Sequence, residues 1–355
     1  MELINTTCAD VTLDLTTVEE LPGQKAAIVC AKLTFTVERD GRVSLDSDDP
    51  IPVLRADLET STGVLPADAE GFLVDGVEVI VLGAAYAPAG RPVPELEVTL
   101  TLGERVHRAY VVGDRGWIGQ GPDAVISAPA PFARMPMGYE RAFGGTAEVW
   151  LDEHTCVPVP HAANPHGRGF DPDATVASLV EALGVPPDFP RHDYVRRLPN
   201  VEDPRERIAR WDDLPRPYSW ATRPADAAGA VAIPAAAEPP PPDAARVAPP
   251  WMAEAQHVMT MRGHPELELP ELVAGTPFVL EGMTPEGTFA FRMPPAGVAI
   301  DYHLDGRTGV RPLVPRRLVL LPDERRFTLT LETKFRFAAT EEGERSLRVR
   351  VTDGQ

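Results

Sequence analysis

The chain has 355 residues, of which 43% are hydrophobic and 39 are proline, and its formal net charge is −19. That length can bury a substantial core in one large domain or two, and the proline content implies much irregular backbone. The acidic balance argues against a nucleic-acid-binding surface, which needs a basic face, and against docking on an anionic membrane; it suits solubility or a basic partner.

Cys8, Cys30 and Cys156 form a sparse, odd set without CxxC spacing, as expected of reduced thiols in a cytoplasmic protein. The opening stretch Met1–Leu15 lacks the basic start and apolar core of a signal peptide. No apolar run approaches the roughly 20 residues that a membrane helix needs. The expected location is the cytoplasm.

In chain order, the first third reads as strands. Apolar alternation marks Val11–Leu15 and Ala27–Val37, and Arg39-Asp40-Gly41 predicts a hairpin turn into Val43–Leu45. Val77–Tyr86, Leu96–Leu102 and Val106–Val112 follow, with Gly103 and Glu104 at the last turn. Short connectors and the absence of helical periods predict antiparallel pairing.

The stretch Pro129–Phe170 fits neither period. It packs Phe132, Met135, Met137, Tyr139 and Phe143 among Arg134, Glu140 and Arg141, closes on Gly144-Gly145, and resumes at Asn164–Phe170. Prolines remove donors and glycines admit unusual backbone angles, so an ordered irregular loop is expected, bound by side chains to its own backbone. Arg134, Glu140, Arg141 and Arg168 are expected to form a paired network that pins it. Beyond it, Asp173–Gly184 predicts a helix, capped by Asp173 and stopped by Gly184 and Pro186; Pro204–Trp211 predicts a second, short one. Pro224–Pro250 reads as an extended proline- and alanine-rich connector.

Strands return at Pro277–Leu280, Thr288–Arg292, Val298–His303, Arg317–Leu321, Phe327–Lys334 and Ser346–Val351, with Gly306 and Gly309 marking a hairpin turn. The expected fold is mainly β: antiparallel β-sandwich-like units with a long irregular central region and one or two short helices. The expected division is a β-unit over 1–128, the irregular region over 129–223, the connector over 224–250, and a C-terminal β-unit over 251–355 packed with the first.

The run Met135–Gly145 followed by Asn164–Phe170 resembles the signature of the type VI secretion-associated domain-of-unknown-function family 2169. Gly83–Pro88, Val112–Arg115 and Leu198–Glu202 add to the resemblance, which spans roughly residues 25–335; Glu78 and Ala84 stand where the family pattern has Asp and His. The resemblance implies a non-enzymatic adaptor or chaperone that links a toxic effector to a secretion spike or its PAAR-like tip. It implies partner-binding candidates Arg134, Met135, Tyr139, Glu140, Arg141, Phe143, Asn164 and Arg168. Tyr139 and Phe143 are the expected aromatic anchors, beside an exposed strand edge; burial in the protein's own core is their other reading.

The remaining chemistry is sparse. His154, Cys156, His161 and His166 are metal-compatible side chains, yet their spacing matches no compact zinc motif. There is no Gly-x-Ser-x-Gly elbow and no phosphate loop, and the glycines 113, 116, 119 and 121 lead to Pro122 rather than to a helix. The expectation is no cofactor and no metal. A hydrolase with dispersed carboxylates and histidines, or a structural component of the secretion particle, are the alternatives.

Overall fold

Apolar residues at every second position build the long strand Gln24–Val37, whose Val29, Ala31, Leu33 and Phe35 point into one core. The structure, a computed structural model, describes residues 1–5, 7, 9–17, 24–68, 76–119, 123–150, 156–170, 197–224, 262–338 and 345–353. The helix expected over Asp173–Gly184 and all but the first residue of the connector lie outside them.

The protein is mainly β, with several sheets whose pairings are mostly antiparallel. The largest sheet runs Asp10–Thr17, Gln24–Val37, Arg326–Ala338, Val314–Leu321, Glu78–Val81, with Val43–Leu45 as a further partner of Gln24–Val37. A five-stranded sheet runs Val201–Glu202, Arg105–Val112, Glu95–Leu102, Pro277–Glu281, Thr288–Arg292. Both therefore interleave strands from the two ends of the chain. They share an apolar layer in which Val98, Leu100, Phe278 and Phe289 meet Leu33, Leu318 and Leu329. Phe291 of the smaller sheet stacks on Phe327 of the larger with ring centroids 4.6 Å apart. A third sheet of four strands places Ala296–Leu304 between Arg307–Pro312 and Arg345–Asp353.

The other face of the largest sheet is buried as well: Ile80, Val319 and Leu321 form an apolar patch with Leu65 and Ala221, and beside that patch runs a polar row. Register sets Lys32, Thr330, Arg317 and Glu78 in one row across four adjacent strands. Asp68, arriving on the segment after Gly63–Leu65, caps the row: it accepts from Lys32 Nζ at 2.6 Å, Thr330 Oγ1 at 2.8 Å and the Leu54 amide at 2.9 Å. Arg317 donates through Nε to Glu78 at 2.6 Å and through Nη1 to the Ala67 carbonyl at 2.7 Å. Glu78 also accepts the amides of Arg262 and Gly263. Lys32 and Asp68 are each only 1% exposed at the side chain, so neither charge has water to fall back on.

Three sequence expectations change. Pro204–Trp211 is a series of turns, because the Asp203 carboxylate takes the Arg205 amide and that of Asp213 takes the amides of Ala209 and Arg210, diverting donors a helix would use. Val77–Tyr86 is two strands, Glu78–Val81 and Ala84–Tyr86, in different sheets. The hairpin of Ala296–Leu304 and Arg307–Pro312 turns at Asp305-Gly306; Gly309 lies within a strand, where an added Cβ would press on the ring of the paired Tyr302. No helix among the described residues is long and apolar enough to cross a membrane.

Removing Lys32 leaves the buried Asp68 carboxylate with only the longer Arg317 contact, 4.0 Å, as counter-charge. Lys32→Met is expected to cost about 3–5 kcal/mol of unfolding free energy in urea titration. A loss below about 1 kcal/mol would mean that solvent reaches Asp68.

Candidate functional site

Pro129–Phe170 is irregular where described, but short two-stranded pairings hold it, one to Ala84–Tyr86 and two within the segment itself. Arg134–Pro136 pairs with Ala84–Tyr86, Phe143–Gly144 lies parallel to Arg168–Gly169, and Thr146–Trp150 pairs with Cys156–Pro160. Two asparagines do the rest. Asn164, fully buried, donates its Nδ2 to the carbonyls of Tyr139 at 2.8 Å and Phe143 at 2.9 Å. Asn200, also fully buried, donates its Nδ2 to the Val112 carbonyl at 3.0 Å and to Asp114 Oδ1 at 3.1 Å. The two side-chain amides thereby tie backbone carbonyls of separate segments together.

Arg141 and Arg168 converge on Asn200. Their Nη1 atoms lie 2.9 and 3.1 Å from its Oδ1, and Arg168 Nε donates to the Glu140 carbonyl at 3.0 Å. Asp114 Oδ1 stands farther off, 3.7 Å from Arg141 and 3.8 Å from Arg168. Arg168 has its pKa lowered, first by burial and then by the neighbouring Arg141 charge. Beneath them, Arg115 Nη2 meets Glu202 Oε1 at 2.7 Å; burial nevertheless holds the Glu202 pKa above its ordinary value.

The expected four-residue network therefore divides. Arg141 and Arg168 share a site, with Glu140 joining through its backbone carbonyl. Arg134 lies elsewhere, donating from Nε to the Tyr86 hydroxyl at 3.1 Å and from Nη2 to Asp323 Oδ2 at 3.2 Å. Met135, Tyr139, Phe143 and Asn164 are interior, with Tyr139 only 3% and Phe143 only 2% exposed. Both aromatics lie in the protein's own core, the second of the two readings given for them. Asn200 is the hub that residue-by-residue reading passed over. Its signal was the Leu198–Glu202 stretch, a buried polar residue between apolar neighbours.

Of the metal-compatible set, His154 and the side chain of Cys156 lie outside the described residues. His161 sits between Phe143 and Phe170, ring centroids 5.4 and 5.0 Å away, and its Nδ1 accepts the Asn164 amide at 3.2 Å. Among the described residues, no group of three His, Cys, Asp or Glu side chains is placed to hold a metal. Around the glycine-rich run, Trp117–Ile118 pairs antiparallel with Val125–Ile126; Gly121 and Pro122 lie outside the described residues.

A family model described as an uncharacterized protein conserved in bacteria, DUF2169, matches residues 22–332. No curated protein and no solved structure matches the chain.

Two outcomes follow from this geometry. Glu140→Ala, which keeps the carbonyl used by Arg168, is expected to change stability by less than about 0.5 kcal/mol, whereas Asn200→Ala is expected to cost at least about 1–3 kcal/mol in the same titration. Burial pushes the His161 pKa down from 6.5 to about 4, so the unfolded chain binds a proton that the folded chain refuses between those values. Its contribution is present above pH 6.5 and is lost as pH falls towards 4, about 3 kcal/mol in all. His161→Asn keeps an acceptor for Asn164 without the titration. Its stability deficit against wild type is expected to narrow between pH 7.5 and pH 4.5; a deficit independent of pH overturns the assignment.

Proposed function

The chain belongs to the DUF2169 family of bacterial proteins, and from that premise we propose that it is a non-enzymatic adaptor that binds other polypeptides. The observation that supports this reading is the division of labour within Pro129–Phe170. Met135, Tyr139 and Phe143 face inward, and Asn164 and Asn200 bind the local backbone, so the segment holds its shape from within. Arg134, Glu140, Arg141 and Arg168 remain at the surface or half-buried on that stiff frame. A surface ordered before its partner arrives loses less entropy on binding.

The finer reading assigns the partners. The motif resemblance of Met135–Gly145 and Asn164–Phe170 makes them a toxic effector and a spike protein or PAAR-like tip of a type VI or related contractile secretion system. Binding takes place where the chain is made, before secretion, and needs no cofactor.

Co-expression with spike and effector proteins of a contractile secretion system from the same bacterium, followed by affinity purification, tests both levels. A stable complex with either partner, together with loss of effector delivery on deletion, is the expected result. Retention of neither partner, with delivery intact in the deletion strain, sinks the adaptor reading.

A further inference from the structure

We propose that Arg141 and Arg168 form a two-arginine clamp for an oxyanion, and that its occupant is a carboxylate of a partner polypeptide. The clamp deepens the adaptor reading and rests on it for the source of the carboxylate.

The geometry is unusual for a purely structural pair. Two guanidinium groups point their Nη1 atoms at the same neutral amide oxygen, Asn200 Oδ1, at 2.9 and 3.1 Å. Like charges brought so close repel, and an amide dipole offsets only part of that. The nearest carboxylate, Asp114, lies beyond hydrogen-bond distance from both, is 69% exposed, and directs its Oδ1 to Asn200 Nδ2. The exposed Glu140 carboxylate and Asp114 act on Arg168 against the like charges of Arg141 and Arg197, and among the described residues no carboxylate lies within hydrogen-bond distance of either clamp arginine.

Donors are also left open. Among the described residues, Nε and Nη2 of Arg141 and Nη2 of Arg168 have no hydrogen-bond partner. The side chains are 25% and 22% exposed, so one edge of each guanidinium is held by protein while another reaches solvent. A planar carboxylate matches such forked donors, and partial desolvation strengthens the contact. Burial first, and the neighbouring Arg141 charge after it, lower the pKa of Arg168, in keeping with two cations drawn partly out of water side by side. Asn200 sets the spacing because its own position is fixed by Val112 and Asp114.

Asp114 gives the inference its sharpest consequence. It is the anion that competes for the clamp, so Asp114→Asn is expected to tighten oxyanion binding while preserving an acceptor for Asn200.

The test uses the full chain and an N-acetylated tetraglutamate peptide carrying a fluorophore, with binding read by fluorescence anisotropy at low and moderate salt. Wild type is expected to bind saturably and Asp114→Asn several-fold more tightly. Arg168→Gln is expected to lose at least tenfold, and Arg168→Lys, which keeps charge without the fork, to fall between. Unchanged circular dichroism and melting of each variant establish that it is folded; if Arg168→Gln fails that check, the Asp114→Asn and Arg168→Lys comparisons decide. Inorganic phosphate is the second arm. Phosphate displacing the peptide only at much higher concentration supports a polypeptide carboxylate. Phosphate binding without peptide binding overturns the proposed occupant. No saturable binding of either probe, by wild type or by Asp114→Asn, overturns the clamp. The same variants in the co-expression assay separate the two levels: a complex that forms with wild type and survives Arg168→Gln undiminished retains the adaptor and discards the clamp.

Discussion

A row of charge buried between a sheet and its cover constrains this fold more than any apolar contact. Lys32, Thr330, Arg317 and Glu78 lie directly across four neighbouring strands, and Asp68 closes the row from above. Leucine layers tolerate small slips, since one apolar contact substitutes for another at modest cost. A row of ions does not. Shifting any of these strands by one residue turns its charge into the apolar layer shared with the five-stranded sheet, where it has no partner. The row thus fixes register between strands that lie some 300 residues apart in sequence, such as Gln24–Val37 and Arg326–Ala338. Its formal charges balance, two positive and two negative, which is the condition for burial without ruin.

From that anchored sheet the signature segment is reached by a chain of short pairings. Glu78–Val81 sits at the sheet's edge beside Val314–Leu321; three residues on, Ala84–Tyr86 pairs with Arg134–Pro136. On the far side, Val201–Glu202 extends the five-stranded sheet from Tyr110 and Val111, which sets Asn200 beside Val112. The two asparagines then bind carbonyls of these segments through their side-chain amides. A displacement of the sheets would therefore reach the arginines through two independent routes.

The strands were readable because alternation is a local property. Gln24–Val37, Glu95–Leu102 and Arg105–Val112 follow directly from it, as does the turn at Asp40-Gly41, where Asp40 Oδ1 accepts the Arg42 amide. What alternation gets wrong is the polar face. Lys32 falls on the side expected to meet solvent, and only Asp68, 36 residues later, makes its burial tolerable. Likewise the signature arginines announced ion pairing, but not with whom. The acceptor for Arg141 and Arg168 is an amide on a different segment, and Asp323, the partner of Arg134, is 189 residues away. Sequence reports which residue types need partners; the pairing is decided by topology.

The composition of the signature segment follows from one demand, that a buried amide and a charged rim occupy the same few residues. Gly144 has φ of +136°, and a Cβ there would collide with the Asn164 carbonyl; at Gly167 it would strike Asn164 Nδ2 and the Ala142 carbonyl. The glycines thus mark the space taken by Asn164. Tyr139 and Phe143 supply the apolar floor and offer their carbonyls to that same amide. Arg168 joins the interior to the surface. Its Nε binds the Glu140 carbonyl and its Nη1 binds Asn200, while its Nη2 has no partner among the described residues and is the donor proposed for the ligand. A lysine offers one point of charge and cannot hold a backbone carbonyl, an amide and an incoming anion along three fixed directions. A planar fork can, which is why the residue that stiffens the loop is also the one that can read a carboxylate.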